Sequence, residues 1–295
     1  MNLIELIASA AERLNKAQVH FGHGTTNAQD EAAWLVLWKL GLPLDTDLEG
    51  PESQAQRPVT VAESAQCAAL IDTRIATRKP AAYLTREAWL QGVSFYVDER
   101  VIVPRSLIAE LLVNGSLDYW LSEQTHAVLD MCTGNGSLAV IAALVYPETV
   151  VDAVDISTDA LAVAMINVER HQLHERVALY AGDGLAAVPQ TYDLILCNPP
   201  YVNAGSMAAL PPEYQAEPAI ALDGNTGGGS DGMDFIRSFL EAAPRHMNEG
   251  AVLVLEIGHE RPFFEAAFPD LAAIWLETSA GEDQVLLLTR DALLA

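Results

Sequence analysis

The stretch Asp193–Asn203, "DLILCNPPYVN", runs four apolar residues together and then sets an asparagine, two prolines and a tyrosine in a row. A buried strand favours apolar residues, and prolines end it. Leu194 to Cys197 therefore read as a strand, with Asn198 at its carboxyl end. Pro199 and Pro200 fix φ and remove two donors, so their carbonyls face outward without competing amides. Asn198 offers one acceptor and two donors. A planar NH2 group needs two acceptors to hold it, and the Asn198 side-chain oxygen and the Pro199 carbonyl can supply them. Tyr201 adds an aromatic face for a planar amide or base. A plain turn after a strand would use the same residues. Four of them at a strand end are still a more specific signal than a glycine turn.

Around this stretch, strands and helices alternate from His126 onward. "AVLDM", "VVDAVDI", "RVALYAGD" and "YDLILC" read as strands, the first two followed by the helices "SLAVIAALVY" and "STDALAVAMINVERHQ". After a long insertion come a helix near 232–246, the strand "AVLVLEIG", a further helix and two late strands. Such alternation makes parallel strands with crossover helices on both faces. Ligands of such sheets bind beyond the carboxyl ends of the strands, where strand order reverses.

Two more strand ends then matter. "LDMCTGNGS" stops a strand at Asp130, and Gly134 and Gly136 permit a tight turn before a helix N-terminus, where amides are unpaired. Gly134, Gly136 and Ala139 also fit the G-x-G-x-x-A spacing of nicotinamide enzymes, and a turn that merely needs glycine remains open. Asp130 tips the balance, because an anion repels a pyrophosphate and attracts an aminium group. In "VDAVDIS", Asp155 ends the next strand and can accept both hydroxyls of a ribose, with Asp152 as the rival acid. Capping the next helix is the plainer role for Asp155, and Ser157 is equally placed for it.

The amino-terminal part has a different texture. "LIELIASAAERLNKAQVH", "NAQDEAAWLVLWKLGLPLD" and "TVAESAQCAALIDTRIATRKP" place apolar residues at helical spacing, with stops near Gly41, Pro43 and Pro80. "EAWLQGVSFYVDERVIVP" changes period and reads as a hairpin or meander. Leu107–Leu121 returns to helix. The expected organisation is a helical domain over 1–80, a β-hairpin linker over 81–104 and an α/β domain over 105–295. Trp34 and Trp38 read as core, and His171 and His174 as a solvated helix end rather than a metal site. His20 and His23 flank Gly22 in a loop with no assigned chemistry.

Length and charge bound the rest. At 295 residues two domains are expected. The net charge of −24 is uneven: residues 1–80 hold 7 basic and 10 acidic side chains, residues 81–295 hold 9 and 30, with no lysine. Phosphate binding relies on Lys and Arg, so direct DNA binding is not expected. A basic partner would be attracted, although solubility alone also explains the acidity. Cys67, Cys132 and Cys197 form no C-x-x-C pair, which suggests buried thiols in a reducing compartment. Met1 opens an amphipathic run rather than a signal peptide, and no apolar run could span a bilayer, so the expected location is the cytoplasm.

Together these features resemble class I S-adenosylmethionine-dependent methyltransferases over roughly residues 105–290. The resemblance implies a Rossmann-like, mostly parallel sheet of seven strands. It implies cofactor binding by Asp130, by the loop residues Cys132, Thr133, Gly134, Asn135 and Gly136, and by Asp155, Asp183, Gly184 and Asn198. Asn198, Pro199, Pro200 and Tyr201 resemble the motif of amino-methyltransferases, which act on an amide or base nitrogen. "FGHGTTNAQDEAAWLVLWKLGLPLD", "VIVPRS", "NPPYVN" and "EYQAEPAIALDGNTGGGSDGMDF" resemble the N5-glutamine methyltransferases, in the branch acting on large-subunit ribosomal protein three. The release-factor branch usually carries Pro-Arg-Pro and acidic residues where this chain has "PRSLIAEL". The implied partner is a basic ribosomal protein, free or within an assembling large subunit, and the helical domain is its expected reader. An adenine methyltransferase, a nicotinamide dehydrogenase and a non-catalytic assembly factor remain as alternatives. Arg105 could meet the cofactor carboxylate, the substrate backbone or a structural acid. "GNTGGGSDG", Gly224–Gly232, is longer and richer in glycine than the family implies, and the sequence gives it no role.

Overall fold

The computed structural model describes residues 1–50, 53–188 and 190–295. Contacts between Cα atoms divide it into two compact units. One is Met1–Ala88 with Pro211–Ala216, and the other is Trp89–Leu210 with Glu217–Ala295. The chain thus leaves the larger unit after Leu210, spends six residues in the smaller one and returns at Glu217. The division falls between Ala88 and Trp89, and nothing in the sequence signals the excursion.

The smaller unit is helical: α1 (Leu3–Lys16), α2 (Ala28–Lys39), α3 (Val61–Thr77) and α4 (Ala81–Thr85). Capping decides where two of them start. Asn2 with Glu5, and Thr60 with Glu63, form reciprocal capping boxes at α1 and α3. Helix α1 stops four residues short of His20, because Gln18 takes a left-handed φ of 52°. Leu3, Ile7, Leu14, Leu35 and Ile71 fill the core, with Trp34 packed partly against it. Inside that core Arg74 donates to Glu31 at 2.8 Å and to the carbonyl of His20 at 3.1 Å. Glu213, from the six-residue excursion, lies 3.6 Å from Arg74 and 3.2 Å from Arg78. His20 and His23 pack on the ring of Tyr214.

The larger unit opens with the hairpin β1 (Ala88–Leu90) and β2 (Val93–Phe95). Helix α5 (Ile108–Val113) is less than half the expected length, since Asn114 and Gly115, the latter at φ 74°, end it. A single 3-10 turn follows at Asp118–Trp120. Then come β3 (Ala127–Met131), α6 (Ser137–Val145), β4 (Val150–Asp155), α7 (Thr158–Arg170), β5 (Val177–Ala181) and β6 (Tyr192–Cys197). The chain closes with α8 (Ala204–Ala209), α9 (Asp234–Ala242), β7 (Met247–Glu256), α10 (Arg261–Ala267), β8 (Ile274–Thr278), β9 (Gly281–Thr289) and α11 (Arg290–Leu294).

Among the described residues the main sheet has seven strands in the order β5-β4-β3-β6-β7-β9-β8. The first five are parallel, and β9 runs antiparallel to both neighbours. Both faces of the central strands are covered, which is why runs such as Leu194–Cys197 and Val252–Leu255 are apolar throughout. Along β6, Leu194 and Leu196 enter the core under α5 and α6, while Ile195 and Cys197 enter the core under α9 and α10. Strand order reverses between β3 and β6. There Met131 pairs with Cys197, so the glycine loop and the Asn198 bend leave the sheet side by side.

Candidate functional site

A cavity of about 370 Å³ lies beyond these strand ends, within the range of small-molecule sites. Cys132 and Gly134 after β3, Asp155 at the end of β4, Asp183 and Gly184 after β5, and Asn198 and Pro200 after β6 all line it. Four sequence-separated motifs thus meet at the point of strand reversal, as an open parallel sheet dictates.

The motifs also bind one another. Asp155 accepts from the backbone N–H of Gly134 at 2.9 Å and of Ser157 at 2.8 Å. Ser157 caps α7 through Ala160, so the cap and the acid are separate roles. A carboxylate has about four lone-pair sites, so acceptor capacity remains on Asp155 for two hydroxyls. Burial pushes its pKa up, against the pull of the Ser157, Gly134 and Ile156 amides. The rival Asp152 lies away from the cavity, accepting from Gln190 and Tyr192 at 2.8 and 2.7 Å.

Asp130 stands behind the loop rather than in the cavity wall. Its Oδ2 accepts from the Thr133 hydroxyl at 2.5 Å and the Ala139 amide at 2.9 Å. Its Oδ1 is buried and has no hydrogen-bond partner among the described residues. Burial, with the nearby Asp155 adding to it, raises the pKa of Asp130 to about 7. Asn135 has the same profile: its Oδ1 accepts from Ser137, while its buried Nδ2 is unpartnered among the described residues. Gly134 and Gly184 have φ of 57° and 63°, and a Cβ on either would meet nothing within 4 Å. The glycines therefore let a ligand approach the backbone closely. Two ionisable acids, an orphaned buried carboxylate oxygen and two open glycines fit a group carrying a cation, vicinal hydroxyls and a heterocycle, as S-adenosylmethionine does.

Asn198 is half-buried, and no hydrogen bond within the described residues engages its side chain. Pro199 is buried beside it. The ring of Tyr201 lies against Gly258, where a Cβ would come within 2.7 Å of Cε2, and it is not part of the cavity wall. Thr133, Asn135, Gly136 and Pro199 are likewise outside the wall. Arg105 makes a bidentate pair with Glu217 at 2.7 and 2.8 Å, also outside it. Arg100, Ile156, Ile220, Thr226 and Phe235 are also part of the wall. Ile156 carried a readable signal, an apolar residue directly after the ribose-type acid, and it is 56% exposed. The others arrive from distant chain segments.

The chain matches the Methyltransferase small domain family over residues 110–210. It is 54% identical to the ribosomal protein uL3 glutamine methyltransferase of Bordetella pertussis, over 99% of this chain and 96% of that one. It is 48% identical to the protein of the same name from Neisseria gonorrhoeae, over 98% and 95%. The chain belongs to this family of uL3 glutamine methyltransferases. The family's Bradyrhizobium diazoefficiens member is 46% identical, over 97% of this chain and 89% of that one. Membership removes the dehydrogenase reading that the glycine spacing left open. Among solved structures, the catalytic domain of hMettl16 in complex with a MAT2A 3'UTR hairpin aligns with a TM-score of 0.52. It is 12% identical and covers 78% of this chain and 81% of that one. That likeness concerns the fold.

Proposed function

We propose that this chain methylates the side-chain amide nitrogen of a glutamine in ribosomal protein uL3, with S-adenosylmethionine as methyl donor. Kinship at 54% identity over nearly the whole chain supports the substrate. The observation that carries the chemistry is Asn198: an uncommitted side-chain amide on the cavity wall, next in register to the glycine loop.

Asp155 would take the ribose hydroxyls, with Asp183 and Gly184 beside the base, and Asp130, from behind the glycine loop, would attract the aminium group electrostatically. Bound there, S-adenosylmethionine supplies an electrophilic methyl group on a good leaving group. The task left to the protein is the nucleophile. An amide nitrogen is weak because its lone pair is delocalised into the carbonyl, and no ordinary base removes its proton beforehand. The Asn198 Oδ1 and the Pro199 carbonyl grip the two amide hydrogens and turn the nitrogen's lone pair toward the methyl group. Positioning of this kind supplies much of the rate. As the new N–C bond forms and positive charge grows on nitrogen, the same acceptors bind more strongly, which favours the transition state over the ground state. The proton departs to solvent after transfer, when it is acidic, so no histidine is required.

The test is incubation of the purified enzyme with uL3 and labelled donor, followed by peptide mass spectrometry. A one-methyl increment on a single glutamine is expected, and a release factor offered in parallel should gain little. Asn198→Ala should lose turnover by at least 100-fold, a typical value for a removed transition-state donor or acceptor, while donor binding survives. Normal turnover by that variant would refute the mechanism.

A further inference from the structure

The glycine-rich segment Gly224–Gly232 is built against the backbone that follows Asn198. The amide of Val202 donates to the Leu222 carbonyl at 2.9 Å, and the amide of Gly224 donates back to the Val202 carbonyl at 3.2 Å. Ala204 donates to the Ser230 carbonyl at 3.1 Å. Asn225 closes the loop on itself and on the bend together: its Nδ2 donates to the Val202 carbonyl at 3.1 Å, and its Oδ1 accepts from the Gly232 amide at 2.9 Å.

The fit leaves no room for side chains. A Cβ on Gly232 would sit 2.1 Å from the Tyr201 carbonyl oxygen and 3.1 Å from the Asn203 amide. A Cβ on Gly224 would sit 2.2 Å from the Gly232 carbonyl oxygen. These are backbone atoms, so nothing can swing aside. Gly228, at the tip of the same loop, also has a positive φ of 90°, yet a Cβ there would meet nothing within 4 Å. The loop is therefore tight against backbone at its two ends, while Gly228 at its tip is open. From the other side Asn203 donates to both oxygens of Glu260 at 2.8 Å.

We infer that the two ends of this loop, Gly224, Asn225 and Gly232, are positioning residues that lock the Tyr201–Asn203 backbone and thereby fix where the Asn198 amide and the Pro199 carbonyl stand. The inference rests on the proposed amide chemistry and extends it. The polar groups after the bend are committed to scaffold, while the Asn198 side chain is left for substrate. A rigid bend needs an anchor on its far side, because two prolines stiffen only their own φ. Thr226 reaches the cavity wall from this segment and Phe235 from the start of α9 just after it, so the brace and the wall are continuous.

The experiment compares five enzymes: wild type, Gly232→Ala, Gly228→Ala, Asn225→Ala and Asn198→Ala. Ordinary contact at Gly232 requires the Tyr201 backbone to retreat by about 1 Å, a displacement that typically costs about 100-fold in turnover. Gly232→Ala should therefore lose about 100-fold in kcat while donor affinity by calorimetry stays within a few-fold. Gly228→Ala, equally strained in φ but free of contacts, should keep most of its kcat. Asn225→Ala adds no atoms, folds without a clash, and should lose roughly 10-fold in kcat with donor affinity unchanged, as expected when one to two hydrogen bonds of positioning are lost. Equal kcat losses for Gly232→Ala and Gly228→Ala, or a donor affinity that falls in step with kcat, would overturn the inference. An active Asn198→Ala would sink the chemistry beneath it. An inactive Asn198→Ala beside a fully active Gly232→Ala would overturn the brace alone.

Discussion

Asp130 gives the sharpest physical test. It is 1% exposed, its Oδ1 lacks a partner among the described residues, and burial raises its pKa from 3.8 to about 7. Between about pH 4 and pH 7 the folded protein holds this proton and the unfolded chain has released it. The folded state then binds one more proton, so stability falls as pH rises, by about 1.4 kcal/mol per pH unit. Across the whole window the loss is at most about 4 kcal/mol. Asp130→Asn cannot ionise, and its carbonyl can still accept from Thr133 and Ala139. Urea unfolding of both proteins without cofactor, at pH 5, 6, 7 and 8, isolates Asp130 together with its coupling to Asp155, because titrating groups that do not interact with it cancel in the difference. The variant should gain on the wild type from pH 5 to pH 7 and then level off. The same variant should bind S-adenosylmethionine more weakly, an exchange of stability against function. If the difference between the two proteins does not change with pH, or if wild type gains on the variant as pH rises, the burial argument is wrong.

Other perturbations separate roles. Asp155→Ala should weaken donor binding by at least 10-fold, since it removes both a hydroxyl acceptor and the Gly134 hydrogen bond; calorimetry checks it. Arg74→Met should destabilise the helical unit by about 3–5 kcal/mol, because it leaves Glu31 buried without its cation, whereas Glu213 keeps Arg78; thermal unfolding reads this directly. At Glu31 burial already pushes the pKa up and Arg74 pulls it back, so that variant should also lose stability faster as pH rises.

The sheet was legible in the sequence because both faces of its strands are buried, and runs such as Leu194–Cys197 and Val252–Leu255 have no other sensible place. Asn198, Asp155 and Gly134 were legible because a parallel sheet gathers its strand ends at one edge. Arg100, Ile220 and Phe235 were not, since their approach to that edge depends on tertiary packing that no local pattern encodes. The shortening of α5 shows the limit of periodicity: apolar spacing continued toward Leu121, but Asn114 and Gly115 ended the helix first. Tyr201 shows the limit of motif reading. Its place against Gly258 follows from a glycine 57 positions away in the chain.

Six residues from Pro211 to Ala216 belong to the helical unit although the chain on either side does not. The amino-terminal 88 residues are therefore not a portable cassette. Excised alone, they would strand Arg74 and Arg78 without Glu213 and expose the seat of Tyr214. Gene fusion or shuffling that swaps in a foreign head at residue 88 would bring the wrong clasp, so replacing this unit means rewriting two distant stretches of the gene together.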